Sequence, residues 1–213
     1  MATLPDETTL LAVLRSEGIE DVRLLDAVRA VPRREFVAPS LAERAYLDIP
    51  LSIPHGQVTT QPSLSARMVE ALALSGEERV LEVGTGYGWQ TALLARLARE
   101  VWSIERWDDL AETARENLSR RGVMNVTVVV GDGSEGLPGK APFDAILVSA
   151  AFFEVPAPLR AQLAPGGRLV QPIGPGGLEE VVLFERRPEG FTARRTITGA
   201  HFVRLVGRHG FPA

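Results

Sequence analysis

The segment that most constrains this chain runs from Leu81 to Gly88 and has the sequence LEVGTGYG. A short apolar run leads directly into three glycines separated by single residues, and a helical pattern follows over residues 91–99. Glycines let a backbone turn sharply and let a ligand lie against the main chain. The pattern therefore predicts a ligand-binding turn between a strand and a helix of an α/β fold, with a plain tight turn as the structural alternative.

Strands and helices alternate on the C-terminal side of this turn. Further apolar runs cover Val101–Glu105, Val126–Val130 and Ala145–Val148; a helical pattern separates the first two, and another follows the third over residues 156–163. The uninterrupted run Val126–Val130 is typical of a strand covered on both faces. Alternation of this kind predicts a Rossmann-like, doubly wound, mostly parallel sheet, and the last runs, after about residue 178, predict antiparallel strands that finish it.

Residues 1–78 form a different block. Leu10, Leu11 and Leu14 share one helical face, a second helix is predicted to end at Pro32, and Tyr46–Gln61 is predicted to form a β-hairpin or an ordered loop. A third helix is predicted to start at Pro62. We therefore expect an N-terminal helical and hairpin extension over residues 1–78, a ligand-binding domain with C-terminal strands over 79–213, and one structural domain overall.

Composition removes several classes of function. With 23 Lys and Arg against 27 Asp and Glu, the net charge is −4, which argues against a nucleic-acid partner. The chain has no Cys, and its three His are too scattered to suggest a metal site. No signal-peptide pattern or membrane-spanning apolar stretch is present in the sequence, so we expect a cytoplasmic protein without a membrane partner.

The spacing of the glycines distinguishes between two kinds of cofactor. A dinucleotide loop places its third glycine three residues after the second, whereas Gly88 follows Gly86 by two. Glu82 precedes Gly84 by two residues, where a carboxylate would suit a cation better than a pyrophosphate. This combination resembles the first motif of the class I S-adenosylmethionine-dependent methyltransferases, whose cofactor carries a sulfonium and an ammonium group.

Downstream acidic residues agree with a nucleoside cofactor. Glu105 ends the next strand, 21 residues after Gly84, where a carboxylate can accept from both ribose hydroxyls, although NAD-binding folds share this feature. Asp132 and Gly133 follow the third strand, where methyltransferases of this class contact the adenine. The predicted cofactor-binding residues are Glu82, Gly84, Thr85, Gly86, Gly88, Glu105, Arg106, Asp132 and Gly133.

Several segments resemble the protein-L-isoaspartate O-methyltransferase family. They include VPRREFV at 31–37, AYLDIPL at 45–51, GQVTTQP at 56–62, GGRLV at 166–170 and a closing Phe202–Val203 strand. The resemblance runs from about residue 18 to 207 and implies a seven-stranded sheet with the N-terminal block as a substrate cap. It also implies methyl transfer from S-adenosylmethionine to the free carboxylate of L-isoaspartyl residues in damaged proteins. The ester would then collapse to a succinimide.

The resemblance also implies residues that bind the acceptor. The family has a serine hydroxyl in the turn before the third helix, and Thr60 occupies that position here. Thr60 is therefore the candidate catalytic residue, orienting the acceptor carboxylate, and capping the helix that starts at Pro62 is its alternative role. The predicted substrate-binding residues are Val58, Thr59, Thr60, Ser149, Ala150 and Ala151. A carboxylate is already ionised at neutral pH, so no general base is needed.

The chain departs from the family pattern at Phe152 and Phe153, near the predicted peptide entrance. These rings could narrow the cleft, cover an apolar substrate neighbour or pack against the N-terminal block. They support a second hypothesis, in which the same fold and cofactor serve a dedicated peptide or a small molecule. A relative that binds cofactor or damaged peptides without turnover is a third hypothesis, and an NAD-dependent oxidoreductase is a fourth.

Five further residues receive structural predictions. His55 is predicted to be a hydrogen-bonding surface group of a loop, and Trp102 and Trp107 are predicted to belong to the core. The pair Arg33–Arg34 is predicted to be solvated. No apolar face stands out in the sequence as an interface, so we expect a monomer.

Overall fold

A computed structural model describes residues 5–212 of the chain, so positions 1–4 and 213 of the predicted N- and C-terminal blocks lie outside the described residues. The first part contains three helices and a two-stranded antiparallel hairpin. Their bounds are α1 (Glu7–Ser16), α2 (Val22–Ala30), β1 (Leu51–Ile53), β2 (Gln57–Thr59) and α3 (Pro62–Ala71). Two short 3-10 turns, Arg33–Phe36 and Pro39–Arg44, connect α2 to the hairpin.

A seven-stranded sheet follows. Its elements are β3 (Arg79–Val83), α4 (Trp89–Leu97), β4 (Glu100–Glu105), α5 (Asp108–Arg120), β5 (Val126–Val130), β6 (Phe143–Val148), α6 (Ala157–Gln162), β7 (Leu163–Ile173), β8 (Glu179–Arg187) and β9 (Gly190–Ala200). The strand order is β5-β4-β3-β6-β7-β8-β9, with parallel pairing from β5 to β7 and antiparallel pairing of β8 and β9. The predicted Rossmann-like sheet with antiparallel C-terminal strands is confirmed.

The N-terminal block packs on one face of the sheet. Leu10, Leu14 and Leu24 are fully buried and belong to the same apolar cluster as Val80 of β3 and Leu93 of α4. The apolar faces of these short helices thus pack against the sheet layer, where burial of apolar area stabilises both parts. Among residues 5–212, no helix is long and apolar enough to cross a bilayer.

Three local predictions are wrong. The run Val126–Val130 forms β5 at the edge of the sheet, and its side chains are half-buried or exposed rather than covered on both faces. Trp102 and Trp107 are only half-buried: Trp102 lies at the margin of an apolar cluster with Lys140 over its ring, and Trp107 stacks on His55. Residues Phe202–Val203 are not a strand, since β9 ends at Ala200 and the chain leaves the sheet there.

Arg33 is buried, contrary to the prediction that it is solvated. Its side chain is 1% exposed and lies over the ring of Trp89, with the guanidinium carbon 5.5 Å from the ring centre. The guanidinium donates to the carbonyls of Ala45 (2.9 Å), Leu47, Ile49 and Thr60 and to the hydroxyl of Thr59 (3.0 Å). Burial lowers the pKa of Arg33 to about 10, and Asp48 opposes that shift. One cation therefore holds the chain on both sides of the hairpin.

We expect Arg33→Met to destabilise the protein by roughly 2–4 kcal/mol, because carbonyls that now accept from the guanidinium would lose their buried donor. Arg34→Met is the matched control, since the side chain of Arg34 is exposed. Denaturant unfolding of the three proteins measures the difference. An Arg33→Met protein whose free energy of unfolding matches that of Arg34→Met would refute this role.

Candidate functional site

A cleft opens at the carboxyl ends of β3 and β4, the edge of a doubly wound sheet where ligands bind. It encloses about 920 Å³ of space not occupied by protein atoms, its open mouth included. The predicted cofactor residues that border it are Gly84, Thr85, Gly86, Gly88, Glu105, Arg106 and Gly133. The glycine turn, the strand-end acid and the turn after β5 thus meet around one cavity.

The glycine turn forms one wall of this first cleft. Gly84, Gly86 and Gly88 have φ angles of +97°, +55° and +90°, values that side-chain-bearing residues rarely adopt. Gly88 immediately precedes α4, so the turn brings the amino end of that helix to the cavity. Gly133 faces the end of β3 so closely that a Cβ there would lie 2.4 Å from a methyl carbon of Val83. Ligand and backbone can therefore approach each other without intervening side chains.

Glu105 presents a carboxylate to the same cavity. Its Oε2 accepts from the backbone N–H of Gly86 at 2.9 Å, and its Oε1 accepts from the N–H groups of Arg106 (2.8 Å) and Trp107 (3.2 Å). These bonds orient the carboxylate and tie the end of β4 to the glycine turn. Each carboxylate oxygen has two lone-pair directions, and three of the four are used, so acceptor capacity remains on Oε2 for one hydroxyl group of a ligand.

Glu82 does not border this cleft, although it was predicted to bind the cofactor. Its carboxylate is fully buried and accepts from the side chains of Gln90 (3.0 Å), Thr91 (2.5 Å) and Ser103 (2.7 Å). Burial raises the pKa of Glu82 to about 7, while these three hydrogen bonds oppose the rise. The residue faces the helix and the neighbouring strand rather than the ligand space, so its role is to position other groups.

Asp132 is likewise turned away from the cavity. Its Oδ1 accepts from the N–H of Ser134 (2.9 Å) and from the hydroxyl of that residue, and its Oδ2 accepts from the N–H of Arg208 at 2.6 Å. Burial alone would raise the pKa of Asp132, but these hydrogen bonds lower it below its usual value. Asp132 thereby fastens the C-terminal segment, whose residues 203–206 border the first cleft.

A second cleft of about 1010 Å³, its opening included, lies between α3 and the end of β9. Residues of the N-terminal block and of the C-terminal part of the chain border it, including Glu17, Arg67, Leu178 and Phe202. Four residues border both cavities: Val58, Thr60, Ser149 and Val203. The two clefts therefore meet at a junction formed by these four residues.

The hydroxyls of Ser149 and Thr60 at this junction differ in their hydrogen bonds. Ser149 Oγ accepts from Gln90 Nε2 at 2.9 Å, which leaves its own proton free to be donated. The hydroxyl of Thr60 has no hydrogen-bond partner within residues 5–212. Thr60 therefore does not cap α3, and Asp48 takes that role by accepting from the N–H of Ser63 at 2.8 Å.

The other predicted substrate residues divide into two groups. Val58, Thr59 and Ala150 border the first cleft, and of these three only Val58 also borders the second. Ala151 does not, because it is fully buried and its backbone bonds to the C-terminal segment, donating to the carbonyl of Val203 at 2.8 Å. The hydroxyl of Thr59 is used inside the fold, where it accepts from Arg33 and from the N–H of Leu51.

The hairpin is fastened across the first cleft by His55. The imidazole ring stacks on Trp107 with 3.9 Å between ring centres and 8° between planes, and its Nε2 lies 2.9 Å from both carboxylate oxygens of Asp109. The hydrogen bond from His55 lowers the pKa of Asp109. Ile53 and Gln57 of the same hairpin border the cavity. The predicted surface histidine thus joins the N-terminal block to the start of α5.

Phe152 and Phe153 border neither of the two clefts. Both rings pack against Phe211, with 5.2 Å between ring centres in each pair. The predictions that they narrow the cleft or pack against the N-terminal block are therefore wrong. Their partner is an aromatic residue of the C-terminal segment that sequence spacing does not connect to them.

Other cleft residues were not predicted. Gln90, Ile104 and Leu110 line the first cavity, and so do Arg204 and Leu205. Gln90 follows the glycine turn by two residues and could have been found from that position, whereas no local pattern indicates that residues 203–206 return to the cavity. Within residues 5–212, no group of three or more His, Asp or Glu side chains is arranged to hold a metal ion.

The buried carboxylate of Glu82 has a consequence for pH. Its pKa is about 7 in the fold against 4.5 when solvated, so between these values the native state retains a proton that the unfolded chain has lost. The contribution of Glu82 to the free energy of unfolding therefore falls as pH rises from about 4.5 to about 7 and is constant above that. We expect Glu82→Gln to be less stable than wild type at pH 5, because the amide N–H groups face donors.

The difference in free energy of unfolding between Glu82→Gln and wild type should then become about 2–3 kcal/mol smaller by pH 8. Denaturant unfolding at several pH values measures it, and Glu116→Gln, which removes an exposed carboxylate of α5, controls for the loss of one charge. A gap that does not change with pH would contradict the raised pKa.

Comparison with known proteins agrees with this geometry. The chain matches the family model described as protein-L-isoaspartate(D-aspartate) O-methyltransferase over residues 6–210. A protein-L-isoaspartate O-methyltransferase of Methanoculleus marisnigri is 48% identical over 198 residues, covering 93% of this chain and 90% of that protein. One of Anaeromyxobacter dehalogenans is 52% identical over 191 residues, covering 89% and 91%.

Solved structures give the same result. A structure named protein-L-isoaspartate O-methyltransferase superposes with a TM-score of 0.83 at 29% identity, covering 96% of this chain and 67% of that one. A Plasmodium falciparum structure of the same family name, in complex with S-adenosyl-L-homocysteine, gives 0.80 at 25% identity and covers 94% and 98%. Sequence and fold agree, and the chain belongs to the protein-L-isoaspartate O-methyltransferase family.

Proposed function

We propose that this protein transfers a methyl group from S-adenosylmethionine to the free carboxylate of L-isoaspartyl residues in damaged proteins or peptides. One observation supports this above the others: a cavity with the features of a nucleoside site meets a second cleft, open to a peptide, at Val58, Thr60, Ser149 and Val203. A donor in the first and an acceptor in the second would have their reacting atoms at that junction.

The residues of the first cleft fit S-adenosylmethionine. The carboxylate of Glu105 retains acceptor capacity on Oε2 for a ribose hydroxyl, and the glycine turn 84–88 would hold the amino-acid end. Gly133, whose backbone lies against Val83, would border the adenine. When bound, S-adenosylmethionine supplies a methyl group activated by its sulfonium and leaves as a neutral thioether.

The protein itself needs to move no proton. The acceptor carboxylate has an ordinary pKa near 4 and is a nucleophile at neutral pH, so the protein must orient one of its oxygens and exclude water. The hydroxyl of Thr60 would donate to the acceptor oxygen that does not react. Ser149, with its oxygen occupied by Gln90, can donate to the same group. The N-terminal block, through its hairpin, would cap the substrate.

The second hypothesis, a dedicated peptide or small-molecule acceptor, loses its main support. It rested on Phe152 and Phe153, and both rings lie against Phe211 rather than at either of the two clefts. The intact cavity walls give no support to a relative without turnover. For the location we propose the cytoplasm, and for the assembly a monomer.

Transfer of label from S-adenosylmethionine tests the function. An isoaspartyl peptide should acquire base-labile methyl groups, while the same peptide with normal aspartate should not, because only the isomer presents its carboxylate at the junction. Label on neither peptide, with S-adenosylhomocysteine still bound, would show that the acceptor is a different molecule.

The role of Thr60 has its own test. We expect Thr60→Val to lower kcat about ten- to a hundredfold with little loss of stability, because it removes one orienting donor and keeps the side-chain volume. Thr60→Ser should retain most of the rate.

Thr59→Val is the matched control for this test. Its hydroxyl bonds within the fold, so its loss should lower the melting temperature more than that of Thr60→Val. Steady-state kinetics and thermal unfolding measure the two effects. Unchanged turnover in Thr60→Val would exclude an orienting role for that hydroxyl.

A further inference from the structure

The C-terminal segment places one arginine beside the junction of the two clefts. Val203 borders both cavities, and Arg204, the next residue, borders the first. The backbone here is fixed, because Ala151 donates to the carbonyl of Val203 and accepts from the N–H of Leu205, each at 2.8 Å. Arg204 therefore projects from a pinned position, one residue from the proposed site of methyl transfer.

The side chain of Arg204 is also held. Its guanidinium carbon lies 4.9 Å from the ring centre of Phe211, and that ring is supported edge-on by Phe152. Its stem lies against Gly176, where a Cβ would be 2.8 Å from Nε and 3.1 Å from Cγ. The aromatic cluster and the glycine together define where the positive charge lies.

Among the residues that the structure describes, this charge has no acidic partner. Within residues 5–212, the guanidinium of Arg204 makes no ion pair and no hydrogen bond, and the side chain is exposed. Other arginines nearby are paired: Arg67 lies 2.6 Å from Glu17, and Arg208 lies 3.5 Å from Glu135. The planar donor face of Arg204 is thus available to a ligand, and carboxylates are the partners that fit it in a bidentate manner.

We propose that Arg204 determines substrate specificity by binding a second carboxylate of the substrate peptide, next to the isoaspartyl carboxylate that is methylated. This inference rests on the proposed function. Residues of an extended peptide are about 3.4 Å apart along the chain, so a neighbour of the isoaspartate at the junction passes the position of Arg204. The second carboxylate belongs to an acidic side chain flanking the isoaspartate or to the free end of a peptide that terminates there.

Matched peptides test this inference with the full-length enzyme. The first pair of isoaspartyl peptides differs only in Glu or Gln beside the isoaspartate, and the second pair differs only in a free or amidated C-terminus one residue after it. We expect wild type to show a kcat/KM about three- to tenfold higher for the member with the second carboxylate in at least one pair. The pair that shows the preference identifies the source of the carboxylate.

The variants assign the preference to Arg204. Arg204→Gln should bring the ratio within a pair close to one, and Arg204→Lys should retain part of it, because it keeps the charge and loses the planar fork. Arg208→Gln removes an equal charge that is already paired with Glu135 and should preserve the ratio. The wild-type ratio should also fall as salt is raised, since both charges are exposed.

Three results would count against the inference or its basis. A wild-type ratio of one in both pairs, or a ratio that survives in Arg204→Gln, would overturn the role of Arg204 alone. A variant with a raised KM for S-adenosylmethionine and an unchanged peptide ratio would assign Arg204 to the cofactor instead. Failure to label any isoaspartyl peptide would overturn the proposed function itself.

Discussion

The buried carboxylate of Glu82 is the interaction on which the first cleft depends. It accepts from Ser103 of β4 and from Gln90 and Thr91 of α4, so one side chain at the end of β3 fixes a neighbouring strand and a helix. Gln90 extends the connection, because it also donates to Ser149 and accepts from Ser65 of α3 at 2.6 Å. A buried carboxylate is tolerated only when donors satisfy it, and satisfying it here orders both the glycine turn and a hydroxyl of the junction.

Arg33 holds the chain on the proposed substrate side of the site by buried hydrogen bonds, as Glu82 does on the proposed cofactor side. Its guanidinium donates hydrogen bonds to carbonyls of the chain before and after the hairpin, and it lies over the ring of Trp89. Trp89 also donates from Nε1 to the carbonyl of Val31 at 3.1 Å and begins α4, the helix that carries the partners of Glu82. The first turn of α4 therefore contacts two buried polar side chains, Glu82 through Gln90 and Thr91, and Arg33 through Trp89.

The sequence predicts the parts of this protein that local patterns determine. Alternating strands and helices, the glycine turn and the acid at the end of β4 all follow from periodicity and spacing, and each is where it was expected. Glu82 and Asp132 do not border the first cleft, because spacing predicts that a side chain is near a cavity but not which way it turns. Phe152 is a failure of another kind, since its partner Phe211 lies 59 residues away along the chain.

The chemistry explains where the structure is rigid. A reaction that moves no proton and needs no base depends on position and on the exclusion of water, so the groups at the junction must be fixed while the cleft still admits its ligands. The groups that must be fixed are held by hydrogen bonds of Glu82 and Arg33. These hydrogen bonds are buried, so breaking them lowers the free energy of unfolding. The exposed contacts of the hairpin and the C-terminal segment, from His55 to Asp109 and from Arg208 to Glu135, add little to this, because solvent screens them. The cost of disrupting the fold is thus concentrated in the buried polar contacts that align the reactants.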